Sequence, residues 1–403
     1  MQRVLSLALL LTSCAAPPKE AADPRTTFEL VETAPVETTL GSDDLREFQE
    51  VWLELITGAR QTIKLAHFYA SERAPSRLTP VIEALEAAAD RGVRVYFLAE
   101  AGFAETYPDT LARLDGRLGI EVKLLDLEPW TDGVLHAKAM YVDGEVSCVG
   151  SANFDWRALE HIQELGAVVR SPEVTAVFER AFDRDWGTVH AHDVGDFGRV
   201  APGPEDFPVP LRLEGGDQVR VTPVLSPLPL LVRREAWDLP RLVDLIDGAE
   251  ESVLVQLLTY RLRDDGWTVL DDALRRAARR GVAVRLLVAD WGKRRGTVEG
   301  LQALVQEPGI EVRFASLPQA AEGHIPYARV VHAKYMVADG SRSWIGTSNW
   351  ERGYFHASRN VGLLVGGRAC GARLQRYFEQ GWDSGYTEDV DPHANYEAPR
   401  IGE

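Results

Sequence analysis

Apolar residues crowd a short run at Thr62-Ile-Lys-Leu-Ala-His-Phe-Tyr69, recur at helical spacing from Leu78 to Asp90, and crowd a second run at Arg91-Gly92-Val-Arg-Val-Tyr-Phe-Leu98. The pattern predicts strand, helix, strand. It returns in the second half, where Ser252 to Tyr260 reads as a strand, Val269 to Arg280 as a helix, and Arg280-Gly281-Val-Ala-Val-Arg-Leu-Leu287 as a strand again. Strands joined through a helix pack as right-handed crossovers, so each half should hold parallel strands covered by helices. The expected fold class is α/β, two similar lobes of mixed, largely parallel β-sheet flanked by helices.

The correspondence extends further along the chain. Leu135-His-Ala-Lys-Ala-Met-Tyr-Val-Asp-Gly144 matches Val331-His-Ala-Lys-Tyr-Met-Val-Ala-Asp-Gly340, with His136 and His332 separated by 196 positions. Gly150-Ser-Ala-Asn153 matches Gly346-Thr-Ser-Asn349, and Phe182 to Trp186 matches Phe378 to Trp382, at the same offset. The chain therefore reads as a tandem duplication. A Gly/Pro-rich junction divides it into a first lobe over 28–189, a linker over 190–210, a second lobe over 211–392 and a tail over 393–403.

Residues 1–13 stand apart from this plan. Arg3 precedes an apolar run from Val4 to Leu11 that is too short to span a bilayer and reads as a secretory signal. Leu11-Thr12-Ser13-Cys14 matches a bacterial lipoprotein box, which makes Cys14 the expected lipidated residue; 14–27, with Pro17 and Pro18, reads as a tether. These features place the folded part in the cell envelope outside the cytoplasm, joined to a membrane through its acyl chains. Cys148 and Cys370 remain to pair or to be buried, and the apolar run Val146 to Val149 favours burial for Cys148.

The 403 residues include 44 Lys and Arg against 61 Asp and Glu, a net charge of −17. Loss of residues 1–13 removes one positive charge and leaves −18. Such a surface repels nucleic acid and anionic lipid, so a polyanionic substrate would need a local basic site.

That site is expected in the repeated H-x-K-x4-D element. Residues two apart on a strand share a face, which sets His136 beside Lys138 and His332 beside Lys334. Asp143-Gly144 and Asp339-Gly340 suit type I′ hairpin turns, a structural role preferred here to direct catalysis. The returning strands carry Asn153 and Asn349, each 17 residues after its His. Glu164 lies 28 residues after His136 and is expected to accept from its ring, as the acid of a triad does. Its counterpart at the 196 offset is Asn360, so the halves differ electrostatically.

A single H-x-K would carry little weight, but two copies with identical His, Lys, Asp, Gly and Asn spacing point to chemistry. Lys138, Lys334, Asn153 and Asn349 can neutralise the oxygens of a phosphodiester. One neutral His can attack phosphorus while the other, protonated, supplies the leaving alcohol with a proton and later acts as base on water; no metal or cofactor is called for. With Glu164 raising the basicity of His136, the expected assignment is His136 as acid and His332 as nucleophile.

These motifs resemble the phospholipase D superfamily over nearly the whole mature chain. Two segments resemble one branch more closely, that of animal phospholipases D three and four and the poxvirus envelope proteins. They are Gly150-Ser-Ala-Asn-Phe-Asp-Trp-Arg157 with Gln163-Glu-Leu-Gly166, and Ile325-Pro-Tyr-Ala-Arg-Val-Val-His-Ala-Lys-Tyr-Met336 with Ile345-Gly-Thr-Ser-Asn-Trp350. The resemblance implies a phosphodiesterase with both motifs at one active site between two lobes, and most closely a 5′ exonuclease on single-stranded DNA or RNA. The alternative is a phospholipase D or phosphatidyl transferase, and a third reading is an inactive binding or envelope protein.

Around this centre, Tyr69 with His67 and Phe68, and Tyr260 with Thr259, end equivalent strands where ligands border parallel sheets. Ser151, Thr347, Trp291, Tyr327, Arg329 and Trp350 are further candidate substrate contacts, each weighed against core packing. Lys293-Arg294-Arg295 could guide a nucleic-acid backbone, although a solvated loop is the default. His190 and His192 lack a third ligand at metal spacing. The outer faces of the lobes are candidate homodimer surfaces.

Overall fold

The protein is described by a computed structural model covering residues 26–188, 207–231, 233–261 and 266–402. The expected signal segment, Cys14, His190, His192 and most of the tether and linker lie outside the described residues.

In the first lobe the strands Ile120–Leu125, Arg94–Glu100 and Thr62–His67 run parallel in that order. The sheet continues antiparallel through Lys138–Val142, Val146–Gly150, Ile162–Arg170 and Thr27–Thr33. The second lobe repeats the order with Ile310–Ala315, Ala283–Ala289, Ser252–Leu257, Tyr335–Ala338, Arg342–Gly346, Asn360–Gly366 and Gln218–Ser226. The α/β expectation holds, and the sheet is mixed for a local reason. Crossover strands are parallel because a helix carries the chain back, whereas the hairpins at Asp143 and Asp339 force antiparallel neighbours.

Both Asp residues lie in the left-handed region, with φ of 54° and 51°, followed by Gly144 and Gly340 also at positive φ. Their carboxylates do more than permit the turn. Asp143 accepts from the backbone N–H groups of Arg60, Gln61 and Thr62, all at 2.8 Å. Asp339 accepts likewise from Glu250, Glu251 and Ser252. Each conserved-spacing Asp therefore fastens the hairpin carrying the His strand to the start of the central parallel strand.

The strands are buried on both faces. On Lys138–Val142, Met140 and Val142 point to an outer core with Val51, Ile56 and Ile82 of the helices Phe48–Gly58 and Thr79–Asp90. Ala139 and Tyr141 point inward. The inner core runs without a break into the second lobe, joining Tyr141, Phe178 and Phe182 to Tyr335, Leu374 and Phe378. Burial of these faces against each other welds the lobes.

Backbone pairing across the pseudo-twofold is specific. Ile162 and Gln163 pair in parallel with Val330 and Val331, and Leu135 bridges Arg359 in the equivalent way. The His332 N–H donates to the Gln163 carbonyl and the His136 N–H to the Arg359 carbonyl, both at 2.9 Å. The contact is close enough that a Cβ on Gly133 would lie 2.3 Å from the Ala357 carbonyl. Arg359, nearly inaccessible, pairs with Asp185 of the helix Pro172–Thr188 through contacts of 2.6 and 2.8 Å.

Cys148 and Cys370 are both buried and free. Burial pushes each thiol up to about 12, which makes them inert apolar packing groups rather than redox partners. Among the described residues no helix is long and apolar enough to cross a membrane.

Candidate active site

The backbone pairings bring the two H-x-K elements together. The imidazoles of His136 and His332 are near enough for the charge of one to bear on the other. Both rings are buried, as are Lys138, Lys334, Asn153 and Asn349. Each lysine turns back to its own histidine, with Lys138 Nζ donating to the His136 carbonyl at 2.8 Å and Lys334 Nζ to the His332 carbonyl. An ammonium is thereby held beside each ring. The amide oxygens of Asn153 and Asn349 are buried without a protein partner.

Behind the rings the partners are exchanged between lobes. Glu164, fully buried, lies 2.9 Å from Nδ1 of His332 through either carboxylate oxygen, and Asn360 Oδ1 lies 3.0 Å from Nδ1 of His136. The expectation that Glu164 serves His136 is corrected. Its strand pairs with Val330–Val331, so the carboxylate reaches the His of the other lobe.

The orientation of Asn360 is determined by its remaining bonds. Its Nδ2 donates to the carbonyls of Tyr354 and Ser358, so Oδ1 is left to face His136 and to accept from Thr347 Oγ1 at 2.9 Å. Ser151 Oγ likewise donates to Glu164. Both hydroxyls also accept a backbone N–H, Ser151 from Leu165 at 3.0 Å and Thr347 from Val361 at 3.1 Å. Acceptors at both Nδ1 positions require that each Nδ1 carries the proton, leaving each Nε2 with its lone pair or ready to be protonated.

Burial dominates the ionisation of the group. It lowers His136 and His332 well below the ordinary imidazole range, and the two lysines push the same way. It lowers Lys138 strongly and brings Lys334 down to about 7, while Glu164 is pushed up to about 7. The site resists isolated charge until an anion enters. A phosphodiester oxygen would supply the missing counter-charge to both ammonium groups.

Residues 52–186 and 242–382 match the family described as cardiolipin synthase, PLD-like domain. The chain belongs to the phospholipase D superfamily. Relatives of this phosphodiesterase include "Phospholipase D Z" of Dictyostelium discoideum, 29% identical with 90% of each chain covered. Another is "5′-3′ exonuclease PLD3" of Bos taurus, 31% identical over 86% of this chain and 76% of that one. Among solved structures, a phosphatidylserine synthase of Haemophilus influenzae shares the fold, with a TM-score of 0.57 at 12% identity, covering 87% of this chain and 86% of that one.

Several candidate substrate contacts of this superfamily member are elsewhere. Ser151 and Thr347 lie behind the rings and hold Glu164 and Asn360, so they position rather than bind. Tyr260 is fully buried, bonds Asp271 and packs near the equally buried Trp350. Arg329 is buried, donating to the carbonyls of Pro318 at 2.6 Å and Val36 at 2.7 Å, which ties the lobes together. His67 packs among Trp52, Phe97 and Phe154 as a core residue, and burial lowers it to about 3. Trp291 is half-buried against the shared core, and Lys293 pairs with Glu388. Tyr327 is 48% exposed, next to Pro326, whose carbonyl accepts from Arg157. Tyr69 does adjoin the centre, through Phe68.

The strand-end candidate Phe68 borders the site, and two further residues, Tyr354 and Asp238, escaped sequence reasoning. The His136 ring is gripped by Phe68 at 5.2 Å and Tyr354 at 4.7 Å. Tyr354 and Phe68 belong to one lobe each, and their equivalents differ in the repeat, so comparison of the halves gave no signal. Asp238 is fully buried beneath the second lobe's loop, accepting from Ser226 and Ser348. Burial pushes its carboxyl from 3.8 to about 8. Below about pH 4 folded and unfolded chains both hold this proton; between there and about 8 unfolding releases it, so rising pH costs stability, and above about 8 the loss levels off. Urea titrations should show Asp238→Asn gaining on the native protein by up to about 1.4 kcal/mol per pH unit across that window, with a flat difference above it.

Proposed function

We propose that this phosphodiesterase is a 5′ exonuclease of single-stranded nucleic acid that works through a phosphohistidine on His136, with His332 as general acid and then base. The crossed partners carry the assignment of roles. Glu164 at 2.9 Å from His332 favours an imidazolium there, whereas His136 faces only the neutral Asn360 amide at 3.0 Å and keeps its Nε2 lone pair. This reverses the sequence-based assignment for the same electrostatic reason that produced it.

His136 Nε2 attacks phosphorus while Lys138, Lys334, Asn153 and Asn349 receive the charge growing on the non-bridging oxygens. As the bond from phosphorus to the 5′-oxygen of the remaining strand breaks, His332 gives its proton to that oxygen and the nucleotide stays on His136 through its phosphoryl group. His332 then takes a proton from water, which opens the phosphoryl–His136 bond and returns both rings to their starting state. The similarity to the exonuclease relative over 86% of the chain supports the nucleic-acid substrate. A lipid reading has support of its own in the slime-mould relative named as a phospholipase D, matched over 90% of both chains.

The purified protein in EDTA, offered a 5′-hydroxyl single-stranded oligonucleotide and phosphatidyl vesicles in parallel, separates the two. Nucleotide release that disappears in His136→Ala is the expected result. Headgroup release without nucleotide release would establish the lipid activity instead.

The enzyme is further proposed to be held on the outer side of a bacterial membrane by acyl chains on Cys14. Replacing Cys14 with Ala should move it from the membrane to the soluble fraction of cells. Continued sedimentation with membranes would count against the anchor.

A further inference from the structure

The catalytic group accounts for a phosphodiester but not for what flanks it. A row of aromatic rings begins at His136 and leads away from it. The Phe68 ring lies 5.2 Å from the His136 ring and 4.1 Å from Phe103. Phe103 stacks on Tyr69 at 5.9 Å with 20° between planes, and Tyr69 stacks on Tyr107 at 4.8 Å with 25°. All four are half-buried, so the row meets solvent beside the reacting centre.

The row is held rigidly. Tyr69 bonds Asp155 and Tyr107 bonds Arg157, and these two partners form a buried ion pair at 2.7 Å. Arg157 also donates to the Pro326 carbonyl of the other lobe at 3.2 Å. At the near end one buried carboxylate joins the row to the catalytic strand: Glu100 accepts from Gly102 N–H, next to Phe103, and from Leu135 N–H, next to His136. The hydroxyls are thus already bonded, and Lys138 and Arg157 lie over the Phe68 and Tyr107 rings at 5.4 Å each, so what the row can offer a ligand is the remaining ring surface.

Among the described residues the second lobe has no such row. Where the strand Arg94–Glu100 ends in Glu100, the equivalent strand ends in Ala289 and runs into Asp290–Lys293 and Arg294. Arg294 is exposed and near enough to Tyr354 for its charge to bear on that phenol.

We propose that Phe68, Tyr69, Phe103 and Tyr107 form a stacking platform for the unpaired base of the nucleotide whose phosphate lies at His136. The proposal rests on the nuclease reading and deepens it. Flat rings at stacking distances, with their hydroxyls already bonded, suit a nucleobase face, and stacking of this kind tolerates any base. A hydrocarbon chain would instead meet a row ending in a buried ion pair, which disfavours it.

The test compares 5′-hydroxyl oligonucleotides that carry either a normal or an abasic first nucleotide, cleaved by the native protein, Phe103→Leu and Phe103→Tyr. Removing the base should lower kcat/KM of the native protein about tenfold to hundredfold. Phe103→Leu should lose a similar factor on the normal oligonucleotide and little more on the abasic one, while Phe103→Tyr restores the preference. A merely structural role for Phe103 would make the two losses multiply. Equal cleavage of normal and abasic strands by the native protein would overturn the platform and leave the nuclease reading intact. Cleavage of neither strand would remove both, and headgroup release that falls in Phe103→Leu would reassign the row to lipid.

Discussion

Offered a nucleotide diester whose p-nitrophenolate departs without a proton, His332→Ala should release one equivalent of p-nitrophenol and then stop. His136 still has its Nε2 lone pair, because Asn360 Oδ1 at 3.0 Å holds the ring proton on Nδ1. Attack therefore proceeds, but no base remains to activate water, and the phosphoryl group stays on His136. On an oligonucleotide, where the leaving hydroxyl needs a proton, the same variant should lose about 10²–10⁴ in rate. His136→Ala should give no burst with either substrate. Peptide mapping of the trapped protein checks the site of attachment, and an adduct on His332 in His136→Ala would reverse the roles again.

The second large effect concerns stability. Asp185→Asn should cost about 3–5 kcal/mol, because it leaves the Arg359 guanidinium buried with no opposing charge. That guanidinium is 2% exposed on its side chain and spends its other donors on the carbonyls of Ser226 and Leu230. The loss should reach the chemistry as well, since the Arg359 carbonyl accepts from His136 N–H at 2.9 Å. Urea unfolding measures the first effect and kcat the second. Replacing both partners by apolar residues, Asp185→Leu with Arg359→Met, should recover most of the stability. A single variant as stable as the native protein would show that the pair is not what welds the lobes there.

Much of the centre is legible in the sequence. Duplication lets the chain be compared with itself, and what the two copies share at fixed spacing is what both need: His, Lys, the turn Asp and Asn. Asp143 and Asp339 take the turn conformation their Asp-Gly pairs suggest because turn chemistry is local, whereas their bonds to Arg60 and Glu250, 83 and 89 positions away, had no local signal. Glu164 is the opposite case. Its distance along the chain to His136 suggested a partner, yet parallel pairing of Gln163 with Val331 delivers it to His332.

The misplaced candidates share one cause. Tyr260 and Arg329 sit at positions that strand ends and loops commonly expose, and whether such a side chain meets substrate or core depends on what packs over it. Packing by Asp271 and Trp350, and by the carbonyls of Pro318 and Val36, is long-range information. The same holds for Phe103 and Tyr107, unremarkable in a short helical stretch until Tyr69 is laid against them.

By itself, then, the sequence determined the repeated strand–helix–strand plan, the α/β class and the paired His, Lys and Asn positions that the fold brings together, because periodicity and turn chemistry act over a few residues. Only the tertiary structure decided which acid or amide stands behind which imidazole, which aromatic rings border the centre and which arginines are already spent. Those choices depend on pairings between lobes about two hundred residues apart, and no local preference of the chain specifies them.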